Sequence, residues 1–233
     1  MLAYDLDDDT FSEILFPGEN LLLRKCGQGR FDWETISPEM FPEVRTGVIA
    51  DFNVDGAPDL AVLGREVADE PRMLAIFFGD GKGGFRPGAA RFPLPGVAIS
   101  SQPLLCAGDK DNDGDPDLVV VSDFYGVDVH LNDGKGHFRD ITAGAIDNPR
   151  LFGMSHVFAD FNADGRCDLY VTGMASTTAR RLEAMGAAPA EFPEHNRMRM
   201  EMAYGNRIYL GQGGGRFRQP DWGASLAMRG WRP

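Results

Sequence analysis

Apolar residues come in short runs along this chain: Ile14-Leu15-Phe16, Leu60-Ala61-Val62-Leu63, Leu118-Val119-Val120-Val121 and Leu169-Tyr170-Val171. Runs of this length, rich in β-branched residues and bounded by turn formers, read as strands, and none approaches the roughly 20 residues that span a bilayer. Before each run stands an acidic segment: DLDDDTFSE from Asp5, DFNVDGAPD from Asp51, DKDNDGDPD from Asp109 and DFNADGRCD from Asp160. After each comes a glycine hairpin closed by phenylalanine, at Phe31, Phe85, Phe138 and Phe217. The acidic segments start 46, 58 and 51 residues apart, close to the length of one four-stranded propeller blade.

Strand, acidic loop, strand, connection, strand, glycine hairpin, strand: this order predicts four antiparallel strands per repeat. In the second repeat they fall near Arg45–Ala50, Leu60–Leu63, Met73–Phe78 and Phe85–Phe92. A unit this small cannot cover both its apolar faces, so repeats must pack on one another around an axis. The expected architecture is an all-β propeller of about four antiparallel blades over residues 1–233, or a piece of a larger one. Only four residues precede the first acidic loop, and Trp222–Met228 is a candidate to supply the missing part of that blade. The repeat logic stops over residues 173–205, where Ala179–Met185 and Glu194–Met202 are expected to form a helical insertion rich in methionine and arginine.

The acidic segments carry the candidate chemistry. Each places an oxygen-bearing side chain at positions 1, 3, 5 and 9: Asp5, Asp7, Asp9 and Glu13; Asp51, Asn53, Asp55 and Asp59; Asp109, Asp111, Asp113 and Asp117; Asp160, Asn162, Asp164 and Asp168. Calcium takes six to eight oxygen ligands, and alternate residues of a tight loop with a carbonyl at position 7 can supply them. Metal-free Asx turns are the competing account, in which each acid bonds only its own backbone. Four loops in register favour Ca²⁺, up to four ions, because clustered carboxylates repel one another without a cation. An EF-hand is excluded by position 12, which is Phe16, Val62, Val120 or Val171 inside a strand-like run. The first loop departs most from the pattern, with Thr10 at position 6 and Glu13 at position 9.

These residues resemble the FG-GAP repeat family, integrin α-type and VCBS-like, over roughly residues 3–220. The family signature stands in Gly56-Ala57-Pro58 and Phe78-Gly79. FADFNADGRCDLYVTG and YGNRIYLGQGGGRF further resemble bacterial propellers that carry an ASPIC/UnbV-type C-terminal domain, which this sequence does not contain. The resemblance implies a propeller of about seven blades with calcium in its loops, in secreted or surface proteins.

Composition narrows the function. The formal net charge of −12 argues against a nucleic-acid partner, which would need a basic face. Fourteen of the 35 acids are candidate ligands, so four Ca²⁺ would bring the formal charge to −4. Cys26, Cys106 and Cys167 have neither disulfide nor zinc spacing and are expected as buried or half-buried free thiols, and the four histidines form no cluster. MLAYDLDDDT has no basic and apolar leader pattern, so a signal peptide is not expected within this sequence. The expected function is a non-catalytic, calcium-binding interaction module for a protein or carbohydrate ligand. It would be extracellular, periplasmic or on the cell surface, without a membrane span, and open to further blades or subunits. The alternative is a calcium-dependent polysaccharide lyase or glycosidase on the same scaffold, although no GxSxG, HExxH or P-loop motif appears.

Overall fold

The computed structural model describes residues 1–27, 29–65, 71–94, 103–123, 125–187, 191, 193–203 and 205–221. Trp222–Met228 therefore lies outside the described residues. Among the described residues, sixteen strands form four four-stranded antiparallel sheets, a nearly all-β, propeller-like architecture. The first sheet holds β1 (Leu2–Tyr4), β2 (Glu13–Phe16), β3 (Leu21–Lys25) and β4 (Phe31–Thr35). The second holds β5 (Glu43–Ala50), β6 (Asp59–Arg65), β7 (Arg72–Gly79) and β8 (Phe85–Leu94), close to the four strands expected. The third is β9 (Leu104–Gly108), β10 (Asp117–Ser122), β11 (Gly126–Leu131) and β12 (Arg139–Asp140), followed by a one-turn helix α1 (Thr142–Ala145). The fourth is β13 (Gly153–Ala159), β14 (Asp168–Gly173), β15 (Arg207–Gly213) and β16 (Arg216–Arg218). Strands in each sheet lie side by side in chain order.

The first two strands of every sheet flank its acidic loop. The first strand ends one residue before position 1, at Tyr4, Ala50, Gly108 or Ala159, and the second begins at position 9, at Glu13, Asp59, Asp117 or Asp168. Cross-strand register closes the loop at its base, with Tyr4 opposite Glu13, Ala50 opposite Asp59 and Ala159 opposite Asp168. The apolar runs after the loops make the second strands, each interior to its sheet. Leu60–Leu63 and Leu118–Val121 are almost wholly removed from solvent, as expected for strands covered on both faces.

The chain forms two compact units. One contains the described residues of 1–98 with 103–118 and 131–139; the other contains those of 119–130 and 140–221. The core of the first gathers Leu6, Leu15, Leu22, Ile36, Phe41, Leu60, Val62 and Phe77. In the second, Leu151, Leu169, Val171, Tyr209 and Phe217 are buried, and the Tyr209 hydroxyl donates to the Asn148 carbonyl at 3.0 Å. The hairpin phenylalanines do not share one role: Phe217 is buried and packs edge-on against Phe158, whereas Phe31 is 53% exposed.

Residues 173–205 bridge β14 and β15 and contain α2 (Thr177–Ala184) and α3 (Pro193–Met202), which contact each other. Backbone bonds from Met174 N–H to the Phe152 carbonyl and from Ser176 N–H to the Ala203 carbonyl anchor the base of this segment. The thiols are free, but Cys26 and Cys167 are exposed rather than buried, because both sit in turns outside the strand faces that form the core. No helix among the described residues is long and apolar enough to cross a membrane.

Candidate cation-binding loops

One backbone plan repeats four times. The position 1 carboxylate accepts from amides at the far side of the turn: Asp5 from Asp9 and Thr10, Asp51 from Asp55 and Gly56, Asp109 from Asn112 and Gly114, Asp160 from Asp164 and Gly165, at 2.6–3.1 Å. These are Asx-type bonds, as the metal-free account expects, and they leave each carboxylate oxygen a second lone pair with which it could ligate a cation.

The turn puts both position 4 and position 6 in the left-handed region: Asp8, Val54, Asn112 and Ala163 at φ 56–68°, and Thr10, Gly56, Gly114 and Gly165 at φ 74–99°. Val54 is β-branched and 57% exposed, so its side chain gains little from packing and its backbone is strained. Replacing it with asparagine, the residue of the third loop, is expected to stabilise the protein by about 0.5–1 kcal/mol. A thermal melt of Val54→Asn should rise by roughly 2–4 °C; an unchanged or lower midpoint would contradict the strain.

Position 9 ties the loop to the sheet. Asp59 accepts from the Phe52 and Asn53 amides through Oδ2 at 2.8 and 3.3 Å, and from Gly79 N–H, at the end of β7, through Oδ1 at 2.9 Å. Asp117 repeats this with Lys110 and Asn132 at 2.7 and 2.9 Å, and Asp168 with Phe161 and Gly211 at 2.9 and 2.8 Å. Glu13 holds Leu6 N–H at 2.9 Å. All four are at most 1% exposed. Burial pushes Asp59 and Asp117 up to about 6, more than their amide donors pull them down. This bracing function was not foreseen from the sequence, where position 9 looked like one more ligand.

In the first and third loops three acids bring carboxylate oxygens within 4.8 Å of one another: Asp5, Asp7 and Glu13, and Asp109, Asp111 and Asp117. In the second and fourth, the position 3 asparagine donates to position 5, Asn53 to Asp55 at 2.8 Å and Asn162 to Asp164 at 3.0 Å. Asp9 and Asp113 at position 5 accept from the amides of Phe11 and Asp115 at 2.8 and 3.2 Å. Converging hard oxygens on a preformed turn suit a divalent cation of calcium's type. The third loop carries a further acid that the sequence pattern did not single out: Asp115 is 7% exposed, and burial with the surrounding carboxylates of Asp113, Asp111, Asp109 and Asp133 pushes it up to about 6.

The FG-GAP-like repeat profile matches residues 51–120 and 109–171, across the second, third and fourth acidic loops. The chain belongs to the FG-GAP-like repeat family. Among curated relatives, the FG-GAP chain is 32% identical over 114 residues to the human phosphatidylinositol-glycan-specific phospholipase D, covering 44% of this chain and 12% of that protein. It is 36% identical over 87 residues to the bovine protein of the same name, covering 33% of this chain and 10% of that protein. The match thus spans about a tenth of each relative and lies in a part of this chain made of repeats. Among solved structures, a lectin of Agrocybe aegerita described for its recognition of non-reducing terminal N-acetylglucosamine superposes with a TM-score of 0.58 at 18% identity, over 99% of this chain and 54% of the lectin chain. At that identity the likeness is one of fold.

Proposed function

We propose that this FG-GAP chain is a non-catalytic, calcium-stabilised binding module for a protein or carbohydrate ligand, working outside the cytoplasm. The observation that carries the reading is the fourfold loop, with carboxylates at positions 1, 5 and 9 and an acid or asparagine at position 3, on one backbone. Asp5, Asp7, Asp9, Glu13, Asp51, Asn53, Asp55, Asp59, Asp109, Asp111, Asp113, Asp117, Asp160, Asn162, Asp164 and Asp168 are the proposed Ca²⁺ ligands. Calcium here is structural: it neutralises each turn and holds the first two strands of its sheet together. The curated relatives named above include an enzyme, but the matched stretch is a small share of it.

A cleft of about 330 Å³ in the first unit offers a place for a ligand. Phe16, Pro17, Glu19, Arg45 and Thr46 are among its lining residues, and Phe16 packs at 5.7 Å against Trp33, which is 59% exposed. A cleft lined by an aromatic ring with carboxylate, guanidinium and hydroxyl groups, its ring backed by an exposed indole, suits a sugar, whose apolar face stacks while its hydroxyls bond.

Calcium removal tests the reading. At ten times its dissociation constant each ion stabilises the fold by about 1.4 kcal/mol, so the melting temperature should fall in EGTA and recover with Ca²⁺ but not Mg²⁺. An EGTA-insensitive melt overturns the calcium role. Retention on immobilised glycans by wild type but not Trp33→Ala would support carbohydrate as the ligand class, and turnover of a polysaccharide would overturn the non-catalytic reading.

A further inference from the structure

The four loops share a backbone but neutralise their carboxylates differently. In the first, Arg24 of β3 reaches into the loop, its Nη1 donating to Asp7 Oδ2 at 2.7 Å while its Nε stands 3.5 Å from Glu34. Gly83, in the β7–β8 hairpin of the next sheet, leaves room for this side chain: a Cβ there would press on the Arg24 guanidinium, which would have to shift. In the second loop the Asn53 amide covers Asp55. In the fourth, Asn162 and Arg166 both donate to Asp164 Oδ2 at 3.0 Å.

In the third loop no side-chain amide or guanidinium covers Asp111 Oδ1 or Asp115 Oδ1. This loop packs five acids, Asp109, Asp111, Asp113, Asp115 and Asp117, into nine positions. Asp111 Oδ1 and Asp115 Oδ1 are shielded from solvent and have no hydrogen-bond partner, and the Asp115 side chain belongs to a residue more than nine-tenths buried. Asp7 Oδ1 of the first loop also lacks one, but that carboxylate is held through Oδ2 by Arg24, whereas Asp111 and Asp115 have no cationic partner of this kind. A buried carboxylate oxygen without a donor is costly, and the cost grows with each like charge beside it. A divalent cation removes both penalties at once. In the first loop the same cation would have to break a charge-assisted bond and leave a largely buried guanidinium without its carboxylate.

Resting on the calcium reading above and narrowing it from four loops to three, we propose that the third loop is the tight cation site of this chain, completed by Asp111 and Asp115, and that Arg24 takes the cation's place among the acids of the first loop. The second and fourth loops lie between, because there the cation competes with a neutral amide and, in the fourth, with an exposed arginine. The fourfold repeat is then a graded set of sites, with one structural ion bound first and one loop independent of calcium.

Calorimetric titration of Ca²⁺ into chelator-treated protein tests this. Wild type should show one tight site and fewer than four in all. Asp111→Asn and Asp115→Asn, neither of which removes a backbone brace, should each weaken the tight class by about tenfold or more, since ligand charge sets affinity in such loops. Arg24→Gln should add one site and leave the tight class intact. Circular dichroism confirms that each variant is folded. Four equivalent sites, a tight class unmoved by either aspartate change, or an unchanged stoichiometry in Arg24→Gln would each overturn the proposal while leaving calcium binding itself standing. Absence of any Ca²⁺ uptake would overturn the proposed function as well.

Discussion

Asp59→Ala, measured in EGTA so that no ion contributes, is expected to lower the melting temperature by roughly 10 °C or to unfold the protein outright. The wild-type carboxylate accepts from three backbone amides, those of Phe52, Asn53 and Gly79, and the residue is fully buried. Truncation leaves the buried Phe52 and Gly79 donors with nothing to bond, at about 1–3 kcal/mol each, and frees the longer, part-buried bond from Asn53. A total of about 3 kcal/mol is a large part of the stability of an ordinary domain. Asp59→Asn keeps one acceptor oxygen but turns an NH₂ toward an amide N–H, so it should fall between wild type and alanine. Asp117→Ala and Asp168→Ala should behave like Asp59→Ala, because each spans its loop and the next strand in the same way. Glu13→Ala should cost less, since Leu6 N–H is the one amide shown to bond it. A melt of Asp59→Ala within a degree or two of wild type would mean that the carboxylate braces nothing and serves the cation alone.

That distinction marks how far the sequence could be read. The spacing of acids and apolar runs was enough to expect four antiparallel sheets and the loops that open them, because strand length, loop chemistry and repeat period all act within a dozen residues. Candidate ligands were legible for the same reason: positions 1, 3, 5 and 9 stand in one short segment. What the pattern could not show depends on contacts distant in sequence. The second partner of Asp59 is Gly79, and that of Asp168 is Gly211, 43 residues away, so position 9 looked like a ligand and not a brace. Arg24 carried no motif, and its meeting with Asp7 follows from the pairing of β2 with β3. Asp115 sat at position 7, where the pattern calls for a carbonyl, and became noticeable only through its burial. The hairpin phenylalanines read as equivalent, yet Phe31 is exposed where Phe217 is buried, because β4 is accessible along its whole length.

The other large effect should come from Asp128, far from the loops in sequence. It lies on β11, where Val127, Val129 and Leu131 take one face and Asp128 and His130 the other, and all five are buried. Burial, helped by the charge of Asp140 and opposed by that of Arg150, pushes Asp128 up to about 7. Burial holds His130 below its ordinary value, against the pull of Asp140. A carboxyl raised in the folded state contributes stability that is complete below its unfolded value of about 4 and lost as pH rises through about 7. A histidine lowered in the folded state does the reverse: its contribution is present above about 6.5 and lost as pH falls. The two groups therefore oppose each other between about pH 4 and 7, and removing one exposes the other. Asp128→Asn is nearly isosteric with the protonated acid, so at pH 5 it should match wild type. At pH 8 wild type carries a buried charge that the variant lacks, and the variant should be more stable by on the order of 2 kcal/mol. Urea unfolding of both proteins in EGTA at the two pH values measures this, and the carboxylates of the loops cancel in the difference. An advantage for Asp128→Asn that is equal at pH 5 and pH 8 would show that its carboxyl does not titrate in this range and that the strain on β11 lies elsewhere.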